Sequence, residues 1–152
     1  MIKLDRTLTY RLHLLNKLTD AVSQRAYVAG AGLSMSDGRC LTAVGTFAPL
    51  SVNDLAKKAN LNKGQASRAA QSLVDQGLVL KAASPTDGRG VVLTLTPEGE
   101  TAWQRAMDVV AQRNKDIFGV LSADQQTQLS SFFDCLIDEA RLKGELADLS
   151  EE

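Results

Sequence analysis

The run Asp87-Gly88-Arg89-Gly90-Val91-Val92-Leu93-Thr94-Leu95-Thr96-Pro97-Glu98-Gly99 constrains the fold more than any other part of the chain. A charged tip between two glycines stands directly before an apolar strand pattern and a helix start, so the segment reads as a hairpin whose end reaches away from the core. Upstream of it, Asn62-Lys63-Gly64-Gln65-Ala66-Ser67-Arg68 opens a helix with one polar face. A helix, a tight turn, a second helix and a projecting hairpin make one small unit whose polar edges are built to meet something outside the protein.

The rest of the chain supplies helices around that unit. Leu8, Leu12, Leu15, Leu18, Ala21 and Val22 recur at helical spacing, with Leu14 broadening the stripe, and predict a long first helix over 8–28 that Gly30-Ala31-Gly32 stops. Ser36 is the expected cap of a second helix running through Cys40, Leu41, Val44 and Phe47, with Pro49 as its end. Ser51 and Asp54 mark the start of a short third helix that buries Val52, Leu55, Ala56 and Ala59. Asn60-Leu61-Asn62 is the turn, Leu61 its apolar plug, and Asn62 with Gln65 has capping-box spacing. In the fourth helix Ala66, Ala69, Ala70, Leu73 and Val74 form the inward stripe, leaving Lys63, Gly64, Gln65, Ser67, Arg68 and Gln71 for other faces.

Gly77 closes that helix, Leu78-Val79-Leu80 starts a strand, Val91 to Leu95 is its partner, and Ser84 to Gly90 is the loop between them. Thr96-Pro97-Glu98 opens a fifth helix that passes Trp103, Ala106, Val109 and Val110 towards Phe118. Ser122-Ala123-Asp124-Gln125 caps a sixth, whose stripe is Leu129, Phe132, Phe133, Leu136, Ile137 and Ala140; only the end, Ser150-Glu151-Glu152, reads as frayed.

Composition excludes several classes. The 152 residues suit one domain with one core. An apolar fraction of 44% with 23% charge is globular, and no uncharged apolar run is long enough to span a membrane. Met1-Ile2-Lys3-Leu4-Asp5-Arg6 breaks any signal-peptide pattern, and Cys40 and Cys135 lack metal-type spacing, so a cytoplasmic protein without metal or cofactor is expected. His13 is the single histidine, which removes His-based metal clusters and triads, and no nucleophile elbow, phosphate loop or dinucleotide fingerprint occurs. The chain is not expected to be an enzyme. The net charge of −1 hides an asymmetry: residues 52–96 carry six basic against three acidic side chains, a balance of +3, whereas residues 97–152 carry five against twelve, a balance of −7. A basic middle attracts phosphates and an acidic tail faces away from them, unless both are ordinary solvated surface.

The expected fold is therefore mainly α with a small β-wing: a winged helix-turn-helix over 36–96, within a single domain over 1–152, flanked by dimerisation helices over 1–30 and 97–147. Three long amphipathic helices exceed what so small a unit can cover, and pairing with a second copy would bury their stripes; the other solution is a monomeric bundle.

The chain resembles the multiple antibiotic resistance regulator (MarR) family of bacterial transcription factors over nearly its whole length. That family's wing pattern, Asp-x-Arg and, after three intervening residues, Leu-x-Leu-Thr-x-x-Gly, is matched by Asp87, Arg89, Leu93, Leu95, Thr96 and Gly99. Its recognition-helix ending is matched by Leu73 and Gly77-Leu78-Val79, and Ser67-Arg68 falls where the family often has a hydroxyl followed by arginine. The resemblance implies a dimeric winged-helix regulator of double-stranded DNA, in many members released from its operator by a small aromatic or phenolic ligand. Lys63, Gln65, Ser67 and Arg68 then sit where a helix entering the major groove meets base edges, with Gln65 suited to adenine and Arg68 either bidentate to guanine or held in a phosphate clamp or intrahelical ion pair. Arg89 has the reach for a narrow minor groove, and Asp87 either orients its guanidinium or forms the turn.

The family's ligand cleft, between the dimer helices and the winged helix, carries no fixed motif. Arg39 and His13 are candidate partners for an aromatic carboxylate, with Phe47 and Trp103 as apolar walls; otherwise Arg39 makes a structural ion pair and His13 a solvent contact. Cys40 and Cys135 are read as small hydrophobes or as redox-responsive thiols. The rival from another class is a winged helix that docks an acidic protein.

Overall fold

The computed structural model describes residues 1–86, 88 and 90–150, the last five by backbone alone. Asp87, Arg89, Glu151 and Glu152 lie outside the described residues. The chain divides into two compact units, Met1–Arg113 and Asn114–Glu152. Six helices appear in order, α1 (Leu8–Ala31), α2 (Met35–Phe47), α3 (Val52–Lys58), α4 (Lys63–Asp75), α5 (Pro97–Phe118) and α6 (Ala123–Ser150), with strands β1 (Val79–Ala83) and β2 (Val91–Leu95) between α4 and α5. No described helix is long and apolar enough to cross a membrane.

In the first unit the core is centred on α2. Cys40, Leu41 and Val44 are fully buried and meet Leu55 of α3, Leu73 of α4, and Val79 and Leu93 of the hairpin. Local chemistry sets where each helix starts. The Thr7 hydroxyl accepts from Tyr10 N–H at the start of α1, Ser51 from Asp54 N–H at the start of α3, and Asn62 closes a reciprocal capping box with Gln65 at the start of α4. Asn60, at φ 58°, makes the tight turn before α4, a conformation that Asn tolerates.

Two expected boundaries move. The cap of α2 is Ser34, not Ser36: its Oγ accepts from Asp37 N–H at 3.2 Å, while Ser36 already lies inside the first turn. Leu33, buried just before the cap, fixes where the chain enters the helix. The first helix also runs through Gly30 and Ala31 and stops only at Gly32, whose φ of 68° supplies the left-handed cap.

The hairpin is antiparallel, in register from Val79 opposite Leu95 to Ala83 opposite Val91. Ser84 N–H bonds the Gly90 carbonyl at 2.9 Å and closes the base of the loop. Leu50, between α2 and α3, adds a bridge to Leu93 that sequence pattern did not announce. The Thr96 hydroxyl donates to the Gly77 carbonyl at 2.7 Å and accepts from Gly99 N–H at 2.9 Å, joining the end of α4 to the start of α5.

The α1 stripe, for which a second copy is the expected cover, is exposed in the single chain, from Leu8 at 81% through Leu12, Leu15 and Leu18 to Val22. Burial on α1 is confined to Ser23 and Tyr27, near its C-terminal end. In the second unit a reciprocal Ser122–Gln125 cap begins α6, and Gln126 Nε2 donates to the Phe118 and Leu121 carbonyls to hold the preceding turn. The α6 stripe is likewise open, with Phe132 and Leu136 at 63% and 65% exposure.

Trp103 of α5 lies against Gly45 of α2, and its Nε1 donates to the Thr42 carbonyl at 3.3 Å. A methyl group at position 45 would collide with the indole ring. Gly45→Ala is therefore expected to destabilise the protein by about 1–3 kcal/mol in urea titrations; a loss below about 0.5 kcal/mol would contradict this packing.

Candidate nucleic-acid interface and effector cleft

Alanine spacing decides what α4 presents. Ala66, Ala69 and Ala70, with Leu73, are buried against α2 and α3, which turns Lys63, Gly64, Gln65, Ser67, Arg68 and Gln71 outwards, all of them exposed. The structure thus brings the four expected α4 contacts together on one accessible face. Gln65 Oε1 accepts from the Asn62 N–H at 3.2 Å, so the cap uses one of its lone pairs and leaves a second. Arg68 folds back over the first turn, its Nη1 only 3.3 Å from where a β-carbon at Gly64 would stand. Among the described residues no carboxylate pairs with Arg68.

Polar bonds tie this helix to its neighbours. Lys81 Nζ on β1 donates to Gln71 Oε1 at 2.9 Å, and Gln71 Nε2 donates to Asp75 at 2.8 Å, linking the root of the hairpin to α4. Asp37 of α2 accepts from Ser72 Oγ at 2.6 Å and from Gln76 Nε2 at 3.2 Å. The two tip residues expected to contact DNA, Asp87 and Arg89, fall outside the described residues.

A separate cavity of about 580 Å³ opens between α1, α2, the end of α3 and α5. Arg39 lines it and pairs with Asp20 at 3.1 Å, with both side chains part-exposed. Tyr27 and Lys58 also line it. Burial pushes the Tyr27 hydroxyl above its ordinary pKa, and the nearby Arg39 charge offsets part of that rise. Lys58 Nζ stands 4.7 Å from the centre of the Phe47 ring. Phe47 itself, the part-buried Trp103 that packs against the core, and exposed His13 are all absent from the cavity wall. Asn16, Asp20, Tyr27 and Lys58 carried no local signal of this role, because the cavity assembles residues far apart in sequence.

Against this geometry the model of the MarR family matches residues 31–90. Over that stretch the chain is similar to the MarR family. The HTH-type transcriptional repressor Rv2887 of Mycobacterium tuberculosis is 28% identical over 111 residues, covering 73% of this chain and 80% of that protein. The solved structure of the M. tuberculosis MarR family protein RV2887 with salicylic acid is 26% identical, covers 87% of this chain and 97% of that one, and superposes with a TM-score of 0.69. BpsR of Bordetella bronchiseptica, studied for regulation of DNA binding by 6-hydroxynicotinic acid, is 18% identical with a TM-score of 0.80 over 91% of this chain and 98% of its own. A mutant MarR from E. coli complexed with operator DNA is 22% identical, with a TM-score of 0.72 over 85% of this chain and 92% of that one.

Cys40 is fully buried, and its thiol is pushed up to about 12 by burial first and by the Asp37 charge second. A thiol so far from ionisation is a small hydrophobe at neutral pH. In a Cys135→Ser variant of this protein, no thiol should react with Ellman's reagent at pH 8 until denaturant is added; rapid labelling of the folded protein would contradict the burial.

Proposed function

We propose that this protein is a homodimeric, ligand-responsive transcriptional repressor of the MarR type that reads a pseudopalindromic operator with α4. The observation that carries the reading is the exposed polar face of α4 set over an alanine-lined buried face. Such a helix, entering the major groove, offers Lys63, Gln65, Ser67 and Arg68 to base edges and phosphates. Arg89, placed by its position in the sequence at the hairpin tip, enters the adjacent minor groove, with Asp87 as its orienting carboxylate.

Two open apolar faces support the dimer. Full burial of a Leu or Phe side chain stabilises by about 1.5–3 kcal/mol, and α1 and α6 each carry several that the single chain leaves in water. A two-fold pair would space two reading helices about one turn of DNA apart.

The cavity beside Arg39 is the effector site in this reading. Its cations, Arg39 and Lys58, and the Tyr27 ring suit an aromatic carboxylate, the chemistry of the salicylic acid and 6-hydroxynicotinic acid named with the relatives. A carboxylate that takes the Arg39 guanidinium competes with Asp20 for it. The effector lowers operator affinity to the extent that it binds the DNA-incompetent arrangement more tightly, typically by about 1–3 kcal/mol. A cytoplasmic setting and the absence of catalysis belong to the same proposal.

Sequencing the genomic fragments retained by the purified protein tests it. One enriched inverted repeat, bound with an affinity that falls steeply as salt rises, is the expected result; equal retention of all duplexes would favour a protein-docking module instead. On that operator, Arg68→Ala is expected to cost about 1–3 kcal/mol at fixed salt, and an unchanged dissociation constant would remove Arg68 from the reading face.

A further inference from the structure

Neither the DNA face nor the effector cleft uses the Asp37 carboxylate, yet it holds both Ser72 of α4 and Gln76, the residue that caps the helix. Its Oδ2 accepts from both Ser72 Oγ and Gln76 Nε2, and Gln76 Nε2 also donates to Ser72 Oγ at 3.0 Å, closing a three-membered ring of bonds. The α2 end of this ring is firmly seated. Asp37 N–H is held by the Ser34 cap, the adjacent Gly38 lies so close to the Tyr27 ring that a β-carbon would collide with it, and Cys40 and Leu41 are fully buried.

The α4 side needs such an anchor. Alanine methyl groups pack closely but have no preferred direction, so Ala66, Ala69 and Ala70 set the distance of α4 from its neighbours better than its roll or tilt. Hydrogen bonds to an ionised acceptor are directional and about twice as strong as neutral ones. The helix rises 1.5 Å per residue, so about 12 Å of rigid helix separates Arg68 from the Gln76 anchor. A swing of about 10° over that length moves a side chain by about 2 Å, beyond the roughly 0.5 Å that a positioned contact tolerates. Asp37, Ser72, Gln65 and Arg68 also line one open groove, so the anchor and the reading residues share a continuous surface.

We infer that Asp37 is a positioning residue for sequence discrimination: its carboxylate sets the pose of α4, and hence which bases Gln65 and Arg68 reach, without itself touching DNA. This rests on the repressor reading above. The test compares the parent protein with Asp37→Ala, Asp37→Asn and Ser72→Ala, measuring affinity for the selected operator and for an unrelated duplex at one salt concentration. Removing a negative charge beside DNA strengthens binding to every sequence, so affinity alone misleads and the ratio of the two affinities is the readout.

Asp37→Ala is expected to lower that ratio by about tenfold or more, and Ser72→Ala to lower it in the same direction. Asp37→Asn, which loses the charge but keeps an oxygen for both bonds, stays close to the parent. A purely structural role would reduce the folded fraction and weaken both duplexes alike, leaving the ratio unchanged; that result, or Asp37→Asn falling as far as Asp37→Ala, overturns the inference. Where Asp37→Ala fails to fold, Ser72→Ala decides in its place. A parent protein without any sequence preference overturns the repressor reading and this inference together, and is distinguished from the other outcomes by the parent measurement itself.

Discussion

Close packing of α4 on α2 and α3 is the constraint from which the rest of the molecule follows. Ala66, Ala69 and Ala70 let the helix backbones approach, while Leu73 reaches into the shared core beside Leu41 and Leu55. Larger residues at the alanine positions would push α4 outward and separate it from Asp37 and Lys81, which hold it from either side. With its inner face spent on packing, the outer face can be polar throughout. Among the described residues its structural work lies at its two ends, the Asn62–Gln65 cap and the Gln71 bonds to Lys81 and Asp75.

The features legible in the sequence are those with short reach. The caps at Ser51, Asn62 and Ser122 each act over three residues, and the α4 stripe repeats at helical spacing, so each was visible without the fold. The cap of α2 was misplaced by two residues because Ser34 and Ser36 offer the same hydroxyl, and burial of Leu33, a tertiary fact, chooses between them. Gly30 was read as a helix stop, but its value is steric: Val109 of α5 occupies the space a side chain would need.

The partners in long-range pairings were not legible, even where, as for Arg39, an ion pair was one of the two readings. The Arg39–Asp20 ion pair, the Asp37–Ser72 bond and the Leu50–Leu93 bridge join residues whose separation obeys no period. Reading the α1 stripe as a face seeking cover was sound as chemistry, yet the single chain leaves that face in water. In the proposed dimer its cover is a second copy, and one sequence cannot distinguish a core from an interface by pattern alone.

Those long-range pairings also connect the two halves of the proposed mechanism. Arg39 binds α1 and Asp37 binds α4 from neighbouring positions on α2, so the first turns of α2 touch both the effector cleft and the reading helix. In that proposal a change at the cleft has a short route to α4, along two residues of α2 and across the Asp37 hydrogen bonds, through a helix whose buried face is tightly packed.

The central claim is that the outer face of α4 chooses the DNA sequence, and exchanging that face tests it most directly. Selection from a random duplex library is repeated with variants at Gln65, Ser67 and Arg68 whose unfolding free energies match the parent. The account predicts that each variant enriches sites altered at a few symmetric base pairs while the half-site spacing stays fixed. Enrichment of the parent site by every variant, at parental affinity, would contradict it.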